Sequence, residues 1–103
     1  KKEPQHTFAQ HDDFSLDSDS YTLLKGGERY VLPKKEFELL SLLLSAPEKL
    51  FTREELALHI WGDAHQAKNR TIDVHIRKIR EKIGQNKIKT IKGVGYRLVK
   101  NEK

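Results

Sequence analysis

Between Asn69 and Gly84 the apolar residues are Ile72, Ile76, Ile79 and Ile83, with Val74 standing apart from them. At about 100° per residue the four isoleucines share one stripe of a helix, whereas Val74 falls on the opposite side, among Arg70, Arg77 and Lys78. The pattern predicts a helix over about 68–83 that buries its isoleucines and presents a cationic face with one small apolar group at its centre. Upstream, Phe37, Leu40 and Leu44 lie on one line with Leu39 and Leu43 beside it. That predicts a central helix starting after Pro33 and ended by Pro47. Thr52-Arg53-Glu54-Glu55 has the form of a capping box, so a second helix runs from about Arg53 to Trp61, followed by a loop from Gly62 to Ala67.

The first third carries short runs instead: FSLD at 14–17, YTLL at 21–24 and RYVL at 29–32. Turn formers separate them, Asp17-Ser18-Asp19-Ser20 and Lys25-Gly26-Gly27-Glu28, and a strand containing Phe8 is expected before them. This is the pattern of an antiparallel meander with one buried face. At the other end KIKTIKGVGYRLV, residues 87–99, predicts a hairpin around Lys92-Gly93-Val94-Gly95. Both glycines are expected to supply positive φ, and Ile91, Tyr96 and Leu98 to pack on the helices.

At 103 residues and 36% hydrophobic content, these elements make one small domain with a single core. The chain has no cysteine, which excludes a disulfide framework or thiolate metal site and suits a reducing, cytoplasmic setting. The cluster LLSLLLSA at 39–46 is far short of the roughly 20 residues that span a bilayer. The absence of methionine reads as a domain taken from a longer chain, with residues 1–7 as a linker remnant, 8–100 as the domain and 101–103 as a tail.

The formal charge of +5 gains meaning once divided. Residues 1–32 hold four basic and six acidic side chains, residues 33–65 again four and six, and residues 66–103 twelve and three. That asymmetry points the C-terminal third toward a polyanion or an anionic membrane surface, against the plainer reading of a solvated basic face. Placement decides between them. Arg70, Val74, Arg77 and Lys78 share one side of a helix. Such a face suits the major groove of DNA, where cations meet phosphates or guanine edges and an apolar group meets the thymine methyl.

Other chemistry finds less support. Gly93-Val94-Gly95 lacks the third glycine of a nucleotide loop, since Leu98 stands in its place and a strand follows. Asp17-Ser18-Asp19 with Glu28 has Thr22 where a calcium loop requires glycine. His6, His11, His59, His65 and His75 show no zinc spacing, and no nucleophile elbow or carboxylate pair suggests an enzyme. The reading is therefore of a protein without metal or cofactor that is not an enzyme. Its alternative is an interaction module whose basic face, or 62–68 loop, docks an acidic partner or RNA polymerase. RNA binding ranks below both, because the hairpin lacks the exposed aromatic pair that stacks on single strands.

Five stretches taken in order resemble one family: Glu36-Phe37-Glu38-Leu39-Leu40, Thr52-Arg53-Glu54-Glu55-Leu56, Trp61-Gly62, the run from Arg70 to Arg80, and Thr90-Ile91-Lys92-Gly93-Val94-Gly95-Tyr96-Arg97. The chain from about Phe14 to Val99 is similar to the winged helix-turn-helix output domains of bacterial two-component response regulators, the OmpR/PhoB group. The resemblance implies an α+β fold with an N-terminal four-stranded antiparallel sheet, three helices and a C-terminal β-hairpin wing. It implies a transcription regulator in a phosphorelay, with a receiver domain upstream that is absent from this chain. It implies binding to promoter direct repeats in double-stranded DNA as a head-to-tail homodimer, and a loop from Gly62 to Lys68 that faces RNA polymerase. By position, Val74 and Lys78 correspond to base-edge contacts. Trp61, Arg70, Thr71, His75, Arg77, Arg80, Thr90 and Tyr96 correspond to further DNA contacts, chiefly to the backbone, and Lys92 at the wing tip to the minor-groove residue.

Overall fold

The structure, a computed structural model, describes residues 8–11, 13–65 and 70–100. Four strands come first, β1 (Phe8–His11), β2 (Phe14–Asp17), β3 (Thr22–Lys25) and β4 (Glu28–Val31), antiparallel and in sequential order. Leu16 pairs with Leu23, and Leu23 with Tyr30. Phe14, Leu16 and Leu23 are buried, as a one-sided meander requires. The third strand starts one residue later than its sequence run because Tyr21 is taken into the turn. Its φ is +54°, and its carbonyl accepts the Leu32 amide at 2.9 Å. The fourth strand starts one residue earlier than expected, directly after Gly26 and Gly27 have reversed the chain with positive φ.

Helix α1 (Lys34–Ser45) starts directly after Pro33, whose carbonyl accepts the Phe37 amide at 2.9 Å. Leu39, Leu40 and Leu43 are fully buried, and the helix stops just ahead of Pro47. Helix α2 (Arg53–Trp61) begins on the expected capping box: the Glu55 amide donates to Thr52 Oγ1 at 3.0 Å, and the Thr52 amide to Glu55 Oε1 at 2.9 Å. Gly62 closes it with φ +72°. Helix α3 (Thr71–Ile83) packs its isoleucines against α1 and α2. Lys68 and Asn69, where the sequence reading opened this helix, lie outside the described residues. So do residues 66–68 of the expected loop, the linker 1–7 and the tail 101–103.

The C-terminal hairpin forms as expected and carries a third strand. Strands β6 (Ile88–Ile91) and β7 (Gly95–Leu98) do form it, but β7 also pairs with a strand the sequence did not announce, Leu50–Thr52, here β5. The result is a three-stranded sheet ordered β5-β7-β6. The two glycines also differ in kind. Gly93 takes φ +77°, whereas Gly95 has no positive φ and is needed for another reason: a Cβ there would collide with the Phe51 carbonyl oxygen and come within 2.8 Å of the Thr52 Cα. Tyr96 and Leu98 are buried as expected. Ile91 is only half-buried, and Ile88 takes the inward position.

Candidate nucleic-acid interface

Helix α3 carries its apolar stripe inward without compromise. Ile72, Ile76, Ile79 and Ile83 are at most 1% exposed, while Val74 is 37% exposed. Arg70, Arg77 and Lys78 are exposed with it, and Arg70, Asp73, Val74 and Arg77 line a shallow surface depression. The orientation follows from burial. A helix with isoleucines on one side and cations on the other minimises exposed apolar area by one rotation only, and that rotation turns Val74 outward.

Beside this face stands the wing. Lys92 and Thr90 are exposed on it, and a backbone bond from the Val94 amide to the Ile91 carbonyl, 2.9 Å, closes its turn. Arg80 ties the wing to α3. Its Nε and Nη2 donate to the Ile88 carbonyl at 3.1 and 2.7 Å, and Nη2 also donates to Thr90 Oγ1 at 2.7 Å. The guanidinium lies 5.9 Å from the centre of the Tyr96 ring. Tyr96, only 6% exposed, donates its hydroxyl to Asp73 Oδ1, which also accepts from Arg53 Nη1 at 2.5 Å. Of the residues expected at the interface, Arg80 and Tyr96 therefore already have intramolecular partners.

At the other flank Trp61 and His75 stack face to face, ring centres 5.7 Å apart. Thr71 is half-buried at the start of α3, one turn before His75. Partial burial pushes the His75 imidazole below its usual range. Glu36 pulls in the opposite direction, and Lys78 adds to the depression. Glu36 itself is buried, with Lys82 Nζ 3.6 Å from its Oε1, so one ion pair joins α1 to α3 beneath the cationic face.

Sequence reasoning missed Asp73, the one acid between Arg70 and Arg80. Its isolation among cations was the available signal. Partial burial would raise its pKa. The bonds from Tyr96 and Arg53 outweigh burial and hold its carboxyl below the usual carboxylate value, with the Arg53 and Arg70 charges adding to them. Burial and the bond to Asp73 push the Tyr96 hydroxyl up to about 12. Among the described residues there is no cluster of acidic, histidine or cysteine side chains suited to a metal ion, and no helix is long and apolar enough to cross a membrane.

With this geometry in place, similarity to known proteins becomes informative. A family profile described as "Transcriptional regulatory protein, C terminal" matches residues 27–98. The heme response regulator HssR of Staphylococcus epidermidis is 41% identical over 80 residues, covering 74% of this chain and 36% of that protein. The phosphate regulon transcriptional regulatory protein PhoB of Escherichia coli K12 is 37% identical over 87 residues, covering 81% of this chain and 38% of its own length. The chain thus spans little more than a third of these relatives. The crystal structure of the DNA binding domain of CpxR from E. coli superimposes with a TM-score of 0.81 at 27% identity, over 93% of this chain and 99% of that one.

Proposed function

The chain belongs to the OmpR/PhoB-type family of transcriptional regulatory C-terminal domains, and from that membership we propose that it is a sequence-specific, double-stranded DNA-binding module, the output half of a cytoplasmic phosphorelay regulator. The observation that carries this reading is the outward face of α3, where Val74 stands exposed among Arg70, Arg77 and Lys78 and directly beside the wing. A helix of this width enters the major groove, and the wing is then at hand for the neighbouring minor groove through Lys92. Val74 and Lys78 are assigned to base edges. Lys78 is a point charge without the two-pronged fork of arginine, so it discriminates guanine less sharply.

Phosphates fall to Arg70, Arg77, Thr71 and Thr90, with His75 and Trp61 as a stacked flank. Arg80 and Tyr96 enter differently. The Tyr96 hydroxyl donates to Asp73, so it cannot also donate to a phosphate, whereas the Arg80 Nη1 hydrogens remain available for one. Two copies set head to tail on direct repeats, a receiver domain upstream and contact with RNA polymerase complete the reading.

Selection from a random duplex library, read by sequencing, tests it and yields the half-site and spacing. Arg70→Ala should weaken all duplexes alike and reduce the salt slope by about one. Val74→Ala should relax preference at a base pair, by about 1 kcal/mol or more. An unchanged preferred sequence in Val74→Ala would sink the groove assignment, and a wild-type chain indifferent to duplex DNA would favour a protein partner for the basic face.

A further inference from the structure

A face built to meet a polyanion loses attraction with every carboxylate it carries, and on α3 Asp73 stands at its edge and Glu81 in the last turn of the helix. The Asp73 side chain is 48% exposed and lines the same depression as Arg70, Val74 and Arg77. What distinguishes it from a stray acid is what it holds. Its Oδ1 accepts from Arg53, the first residue of α2, and from Tyr96 of β7. Arg53 and Tyr96 also interact with each other. The Arg53 amide in turn donates to the Val94 carbonyl in the wing turn at 3.0 Å, and Gly95 lies against the backbone of Phe51 and Thr52. The start of α2, the first turn of α3 and the wing thus converge on a single carboxylate oxygen.

Two physical consequences follow. The wing is held at one distance and angle from α3, so only a duplex whose two grooves present the right groups at that separation can satisfy both. And two donors that could otherwise turn to phosphate are kept on protein, while a negative charge stays at the edge of the interface. Phosphate contacts add affinity for every sequence and information about none. We propose that Asp73 is a positioning residue that sets specificity: by holding Arg53 and Tyr96 it fixes the wing against the recognition helix and lowers the grip on arbitrary DNA. The inference rests on the DNA-binding reading above.

The test uses the whole chain with two duplexes, one enriched by the wild type from a random library and a scrambled one of equal length and composition. Asp73→Asn should bind the scrambled duplex about threefold or more tightly, and its ratio of enriched to scrambled affinity should fall about tenfold. Asp73→Glu, which keeps the charge on a longer arm, should recover part of the ratio. Tyr96→Phe keeps the carboxylate and loses one tie. It should lower the ratio with little gain for the scrambled duplex, and it carries the test alone if circular dichroism shows that Asp73→Asn does not fold. A folded Asp73→Asn with an unchanged ratio, or one that weakens both duplexes equally, overturns the proposal while leaving DNA binding intact. A wild-type chain that enriches no duplex overturns the DNA-binding reading first, and this inference with it.

Discussion

Gly93 and Gly95 stand two apart in the wing and answer to different constraints. Gly93 turns the chain with φ +77° in open space, so Gly93→Ala meets only the left-handed backbone penalty and should cost about 1 to 2 kcal/mol. Gly95 lies where β7 crosses β5, with no room for a Cβ against the Phe51 carbonyl and the Thr52 Cα. Gly95→Ala therefore forces the two strands apart and should cost about 3 kcal/mol or more, since backbone cannot yield as a side chain can. Urea unfolding of the two variants measures the difference, and equal costs would show that the wing accommodates the methyl. The sequence displayed both glycines plainly. It could not display the second reason, because the atoms Gly95 must avoid belong to residues more than forty positions away.

The start of α2 shows what a local signal can carry. Thr52 and Glu55 satisfy each other's backbone amides within one turn, so the capping box was legible in four letters. Thr52→Ala should lower stability by about 1 kcal/mol, while Thr52→Ser, which keeps the accepting oxygen, should lose much less. Thermal or urea melts compare them, and a Thr52→Ala that melts like the wild type would mean that solvent caps the helix equally well. The strand β5 immediately before it was not legible. Three residues are too few to show alternation, and Leu50–Thr52 is a strand only because Arg97, Tyr96 and Gly95 lie opposite it.

Asp13, Glu48 and Asp73 each join distant parts of the molecule, and each titrates below its ordinary value. Asp13 resists burial, which raises its pKa, through Lys87 and Lys25, so the N-terminal sheet is held to the residues just before β6. Glu48 accepts the Lys100 amide, and its ion pair with Arg97 adds to that, which fastens the chain end. Asp73 joins α3 to α2 and the wing. Because each folded value is depressed, the stability these groups contribute is complete above their unfolded values of 3.8, 4.5 and 3.8 and is lost as pH falls through the folded ones. An earlier loss, beginning as pH falls below 6.5, belongs to His75, whose neutral form the fold favours. The urea midpoint should fall most steeply below about pH 4, and less so in Asp73→Asn. An identical acid limb in that variant would show that Asp73 carries none of the linkage.

What the sequence alone determined is whatever repeats within a turn or two of chain: the isoleucine stripe of α3, the cationic face opposite it, the capping box, the meander and the glycine-tipped hairpin. One rotation of α3 buries all four isoleucines, so even the outward position of Val74 was fixed before any tertiary contact was known. Only the tertiary structure decided that Asp73 receives Arg53 and Tyr96, that Arg80 holds the wing through Nε and Nη2, that Glu36 lies buried near Lys82, and that β5 exists. Those are pairings between different elements, eight residues apart for Arg80 and Ile88 and forty-six for Glu36 and Lys82, chosen by which surfaces the core brings together, and no periodicity along the chain encodes the distance between two elements that have yet to meet.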